Sequence, residues 1–298
     1  MRFILGSCRA DPAAAAGESG GRSAARSCPA SRRSVKIDAM TATMRTEALA
    51  LLLECDADRK AAGALALRAD LPVDAAARLD EPRGIPGRPA RPLLVPHAQI
   101  RQRSIRSREG RAALIHAIAH IELNAIDLAL DAVWRFAGLP ERFYRDWVGV
   151  AAEEALHFSL LRDHLKGLGF AYGDFPAHAA LWEMAERTRD DVLARMALVP
   201  RTLEARGLDA SPAVKTKLLA AGDAGGAAII DRILRDEIGH VAIGNHWYRW
   251  LCTQRGLDPV ATYAELASRH AAPRPRGPFN LAARRAAGFS EAELALLG

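Results

Sequence analysis

Glu153-Glu154-Ala155-Leu156-His157-Phe158 and Asp236-Glu237-Ile238-Gly239-His240-Val241 are the two stretches on which the reading of this 298-residue chain turns. Each holds a Glu and a His three residues apart. On a helix such residues lie on neighbouring turns of one face, so Glu154 with His157, and Glu237 with His240, can grip an ion together. One such word is common by chance. Here each copy is also preceded, about one helical hairpin upstream, by another Glu: Glu122 stands 32 residues before Glu154, and Glu204 stands 33 before Glu237.

The surroundings of these residues are apolar at helical spacing. Ile118, Ala125, Ile126 and Ala129 share the side of Glu122; Val150, Ala151 and Leu161 share that of Glu154 and His157; Ile230, Ile233, Val241 and Gly244 share that of Glu237 and His240. An unpaired carboxylate on a core stripe is expensive, so the glutamates need partners. Four carboxylates and two imidazoles are the ligand set of ferritin-like di-iron and di-manganese bundles, and the reading is a match to that template. Two divalent ions would neutralise four carboxylates. Hard oxygens with imidazole suit two Fe ions, or Mn, per chain, and the lack of cysteine disfavours structural zinc.

Working outward, the pattern is helical. From Met44 to about Asp70 the spacing is that of N-terminal helices, followed by an extended Pro-rich segment over 81–100. Four long helices follow: about Glu109–Phe136, stopped at Gly138; 140–166, opened by Pro140; 176–206, interrupted by Pro200; and one from the N-cap Asp223 to Arg255, stopped by Gly256. A shorter helix over 259–269 and a last one announced by the capping box Ser290-x-x-Glu293 close the chain. The fold class is therefore all-α, a ferritin-like four-helix bundle over 107–256 with additional N-terminal (44–106) and C-terminal (257–298) helices. Residues 1–43 lack an apolar period and are expected to be disordered, an extension from a start codon placed too early. Met1–Cys8 resembles a lipoprotein signal, but its apolar core is only Phe3-Ile4-Leu5, short of the ~7–15 residues needed.

The net charge of +6 does not indicate nucleic acid. Residues 1–43 hold seven Lys/Arg and three acids, which leaves the body at +2. Cys8, Cys28, Cys55 and Cys252 are scattered, with no disulfide framework, and a cytoplasmic location is expected. No run approaches the ~20 apolar residues of a membrane span. His116 and His120 read as packing or supporting groups, Trp247 and Tyr248 as core, and Glu153 and Asp236 as a solvated face, with hydrogen bonding to the ligand side chains as the alternative. Arg101, Arg103, Arg106, Arg108 and Arg111 read as a solvated approach to the first long helix.

The motifs resemble an uncharacterised bacterial ferritin-like family of unknown function. The resemblance is carried by Arg111-Ala112-Ala113-Leu114-Ile115-His116-Ala117-Ile118-Ala119-His120-Ile121-Glu122, by the two stretches quoted first, by Pro200-Arg201-Thr202-Leu203-Glu204-Ala205-Arg206-Gly207, and by Pro278-Phe279-Asn280-Leu281 with Gly288-Phe289-Ser290. It extends from about Met44 to the C-terminus. It implies a ferritin-like fold and a metal-ligand role for Glu122, Glu154, His157, Glu204, Glu237 and His240, and it supplies no reaction. The expected function is an O2-dependent di-iron oxidase or hydroxylase acting on a small molecule, with an unidentified electron donor; a homodimer is compatible with this. The alternatives are a ferroxidase-type iron-handling protein and an enzyme similar to tRNA-modifying hydroxylases. The arginine cluster favours the last slightly, and the near-neutral body counts against it.

Overall fold

A computed structural model describes residues 42–297, and among these every regular element is helical. The expected disorder of the N-terminal extension falls on residues outside this range, apart from Ala42 and Thr43. Thr43 is the N-cap of α1 (Met44–Leu53): its hydroxyl accepts from the Thr46 amide while the Thr46 hydroxyl accepts from Thr43, a reciprocal box. The helical pattern over 44–70 divides into two helices. Glu54 turns extended, and Asp56 caps a new start, α2 (Ala57–Ala66), by accepting from the Arg59 amide. A capping aspartate between two apolar repeats thus marked a break.

The Pro-rich segment is extended, as its proline spacing requires, with one 3-10 turn at His97–Gln99. It is pinned by an isolated parallel pairing of Leu94 with Ala177, through Val95 N–H to Ala177 O (2.8 Å) and Ala177 N–H to Leu93 O (3.0 Å). The first long helix, α3 (Arg108–Arg135), and α4 (Glu141–Gly167) form a hairpin joined by five residues, with Gly138 at φ +77°. α1 packs on α3 and α2 on α4. By length and composition α3 is apolar enough to span a membrane, contrary to the sequence expectation, but 83% of its most apolar window is buried against the rest of the protein.

The third long helix departs most from expectation. It begins as α5 (Ala180–Arg187) and α6 (Val192–Leu198) and passes through a π-helical turn, Val199–Glu204. It then continues as α7 (Ala205–Ala220), a segment the sequence reading ended at Arg206. Gly207 and Pro212 look like breakers, yet the helix runs through both. A proline removes the bond to the carbonyl four residues back and normally kinks the helix. Here that carbonyl, Leu208 O, accepts from the Asn280 side-chain amide at 3.2 Å, and Ser211 donates to Gly207 O at 2.7 Å. The fourth long helix, α8 (Ala224–Arg255), starts at Asp223, which accepts from the Gly226 amide, and ends at Gly256 in the left-handed conformation. At Gly244 a Cβ would sit 2.6 Å from Pro200 Cβ, so only glycine lets α8 approach the π turn this closely.

The tail folds back as α9 (Pro259–Arg269), α10 (Leu281–Ala286) and α11 (Glu291–Ala295), the last with the expected Ser290–Glu293 box. Glu293 also pairs with Arg201 Nη2 (2.5 Å) and Arg249 Nη2 (3.0 Å). The Arg201 guanidinium lies over the rings of Tyr248, Tyr263 and Phe289 at 4.7 to 5.0 Å. The tail therefore clamps the π turn against α8.

Candidate metal centre

α3, α4, α8 and the π turn each present a glutamate to the interior between them. Glu122, Glu154, His157 and Glu237 offer ligand atoms that all lie within 4.8 Å of one another, and all four residues are buried. His157 Nδ1 stands 3.3 Å from Glu122 Oε2 and 3.4 Å from Glu154 Oε2. His240 Nδ1 stands 3.0 Å from Glu154 Oε1 and 3.8 Å from Glu237 Oε2. Glu154 thus lies between the two imidazoles, whose ring centroids are 5.8 Å apart.

Several of these atoms are close without being satisfied. Glu122 Oε2, Glu154 Oε1, Glu204 Oε2, Glu237 Oε2 and His240 Nδ1 are buried and have no hydrogen-bond partner. Glu154 Oε1 and His240 Nδ1 approach to 3.0 Å yet miss hydrogen-bond alignment, as lone pairs aimed at a common third point do. Buried acceptors without donors are rare in native proteins, and a cluster of them asks for a cation. The donor set, carboxylate oxygen with imidazole nitrogen, fits a divalent first-row metal. Glu204 is half-buried as a residue, but its Oε2 is enclosed. Arg201, a candidate partner for it, turns away to Glu293 and Asn245.

The electrostatics have the same origin. Burial, then the neighbouring Glu154, raise both Glu122 and Glu204 to about 8. The same two causes push Glu237 well above the carboxylate range. Burial alone would raise Glu154 too, but the facing His240 and His157 outweigh it and hold Glu154 below the usual range. Burial opposes a charged His157, but its contacts with Glu122 and Glu154 bring it to about 11, and His240 is raised by Glu154 and Glu153. Protons here do the work of a missing positive charge.

The far nitrogens show, for Glu153 and Asp236, the hydrogen-bonding role that the sequence reading ranked below a solvated face. His157 Nε2 donates to Asp236 Oδ2 at 3.0 Å, and His240 Nε2 donates to Glu153 Oε2 at 2.7 Å. Each acid precedes the glutamate of one motif and holds the histidine of the other, so the two stretches brace each other across α4 and α8. Glu153 and Asp236 are thus not merely a solvated face, although Glu153 stays more than half exposed. Their one sequence signal was their equivalent placement in the two motifs. With Nε2 donating, Nδ1 of each ring faces the glutamates and is the atom that could take a metal ion.

The remaining histidines stay apart from this group. His120 Nδ1 pairs with the Tyr172 hydroxyl at 2.8 Å, and His116 Nε2 accepts from the Gly173 amide at 3.0 Å. Burial lowers His120 to about 3 and His116 to about 4, so both are neutral near pH 7. Trp247 and Tyr248 are buried, donating to Asp146 and to Pro259 O. Arg101, Arg103, Arg106 and Arg108 are exposed, and Arg103 pairs with Glu109 at 3.0 Å. Cys252 is buried with a free thiol.

Fold and site together define an all-helical protein with a buried Glu/His group that could hold a metal ion. Residues 43–295 match the family described as "Protein of unknown function (DUF455)", and the chain belongs to it. It is similar to an uncharacterized protein of Haemophilus influenzae, 52% identical over 213 residues, which cover 69% of this chain and 74% of that one. No solved structure matches.

Proposed function

We propose that α3, α4, the α6–π–α7 tract and α8 are the four helices of a ferritin-like bundle holding two metal ions, iron before manganese, for O2-dependent oxidation or hydroxylation of a small molecule. The observation that carries this reading is the set of five buried, partnerless Glu and His atoms, with Glu122, Glu154, His157 and Glu237 grouped within 4.8 Å between the helices. Glu122, Glu154, His157, Glu204, Glu237 and His240 would be the ligands, with Glu154 lying between the two imidazoles. When bound, ferrous ions supply electrons to O2 so that a substrate can be oxidised, and an external donor supplies the two further electrons that oxygen insertion requires.

The chain's own residues have separate tasks. Asp236 and Glu153 hold the Nε2 protons of His157 and His240 and fix the orientation of both rings. The apolar side chains of Ile118, Ile230 and Ile233 limit the water that reaches the carboxylates to what enters through the cavity mouth. A cavity opening onto Glu122, Glu204 and Glu237 favours substrate oxidation over iron storage.

Elemental analysis of anaerobically purified protein tests the reading. About two irons per chain are expected, with a new absorption band after air is admitted. Glu154→Ala and His240→Ala should each abolish two-metal occupancy while circular dichroism keeps its helical signal. Absence of stoichiometric metal, even after reconstitution with ferrous or manganous ions, would sink the proposal.

A further inference from the structure

Beside the carboxylates lies a cavity of about 70 Å³ between α3, α7 and α8. Ile118, Val214, Ile230 and Ile233 form its buried wall; Glu122, Glu204 and Glu237 close its inner end. At the mouth Ile121, Leu203, Gly207 and Ser211 are only half-buried, so the cavity communicates with solvent there. No lysine, arginine or aromatic side chain lines it. The one hydroxyl, Ser211 Oγ, already donates to Gly207 O.

We propose that this cavity receives an uncharged short alkyl group of the substrate and presents it to the metal-facing carboxylates. The assignment rests on the metal reading above for its catalytic meaning, but the recognition chemistry stands on the lining alone. An anionic group would find no lysine or arginine and, in the metal-free chain, would face three glutamates. A planar ring would find no aromatic partner for stacking. An alkyl group loses nothing by leaving water and gains the contact of isoleucine, valine and leucine side chains. At about 30 Å³ per water the volume admits roughly two waters, which corresponds to roughly the last two or three carbons of an alkyl chain. Burying that many methylenes gives affinity on the order of tens of millimolar for an isolated alkyl probe, so the rest of the substrate must bind outside the mouth.

Gly207 offers a clean way to fill the cavity. A Cβ there meets nothing within 4 Å, and leucine is the better helix former. The test uses the full chain, metal-free and after metal reconstitution, with 1-pentanol, pentanoate and pentylammonium as probes in saturation-transfer NMR. 1-Pentanol should bind both forms. Pentanoate should bind at least about tenfold more weakly, and Gly207→Leu and Ala210→Leu should each weaken 1-pentanol at least about tenfold. Metal content and helicity should stay unchanged in both variants. If 1-pentanol binds the variants as well as the parent, or if the metal-loaded chain prefers either charged probe, the proposal is overturned. If 1-pentanol behaves as expected in a chain that takes up no metal, the cavity assignment stands and the metal reading fails.

Discussion

At the scale of single residues the centre is organised by two acids that do not face the proposed ions. Asp236 and Glu153 each accept the Nε2 proton of the opposite motif's histidine. Removing the acceptor's charge leaves the ring free to change tautomer and rotate, and such outer partners typically contribute about 10–100-fold to metal affinity. Asp236→Asn and Glu153→Gln should therefore weaken metal binding by about that factor, with helicity and metal stoichiometry at saturation retained. Asp236 is the more enclosed of the two, at 25% against 56% side-chain exposure, so its substitution should have the larger effect. Equilibrium titration with manganous ion in competition with a chelator measures this. Unchanged affinity in both variants would reduce the cross-brace to a surface contact.

At the scale of elements, the caps and repeats of α3, α4 and α8 were legible in sequence, because Ser107, Pro140, Asp223 and Gly256 act on their own neighbours. So was the closeness of Glu154 to His157 and of Glu237 to His240, because three-residue spacing on one helix is a local fact. What was not legible depends on partners far along the chain. The crossing of Asp236 to His157 spans 79 residues, and that of Glu153 to His240 spans 87. The course of α7 through Pro212 depends on Asn280, 72 residues beyond the carbonyl it satisfies. Asn280→Ala should strip Leu208 O of that donor and destabilise the chain by about 1–2 kcal/mol, measured by urea unfolding. No loss would show that water replaces the amide. Glu293 makes a second test at this scale. Burial would raise it, but Arg201 and the Ser290 cap bring it from 4.5 to about 2. A carboxylate depressed in the folded state stabilises above its unfolded value, and the effect is lost as pH falls from about 4.5 towards about 2. At about 1.36 kcal/mol per pH unit the contribution is about 3 kcal/mol. The parent should therefore lose about that much more stability than Glu293→Gln across this range, and parallel unfolding curves at each pH would contradict it.

At the scale of the whole molecule, the proposed metal and protons would compete for one interior. Glu122 and Glu204, raised to about 8, hold their protons in the folded metal-free chain near pH 7, whereas the unfolded chain releases them near the ordinary 4.5. A carboxyl group whose folded value is raised stabilises most below its unfolded value, and that contribution is lost as pH rises through the folded value. The metal-free protein should therefore become less stable between about pH 5 and about pH 8. Metal binding runs the other way, because ligands must be deprotonated and loading at pH 7 must expel protons. The two trends predict that the rise in melting temperature on adding manganous ion widens from pH 6 to pH 8. At about a thousandfold excess over Kd, the added stability is about 4 kcal/mol, or roughly 10 °C for a chain of this size. Scanning calorimetry at the two pH values, with and without the ion, measures the gap, and a pH-indicator dye counts the protons released at pH 7. A metal-induced rise that is the same at both pH values, with no proton release, would mean that the ion binds elsewhere and leaves the buried glutamates protonated.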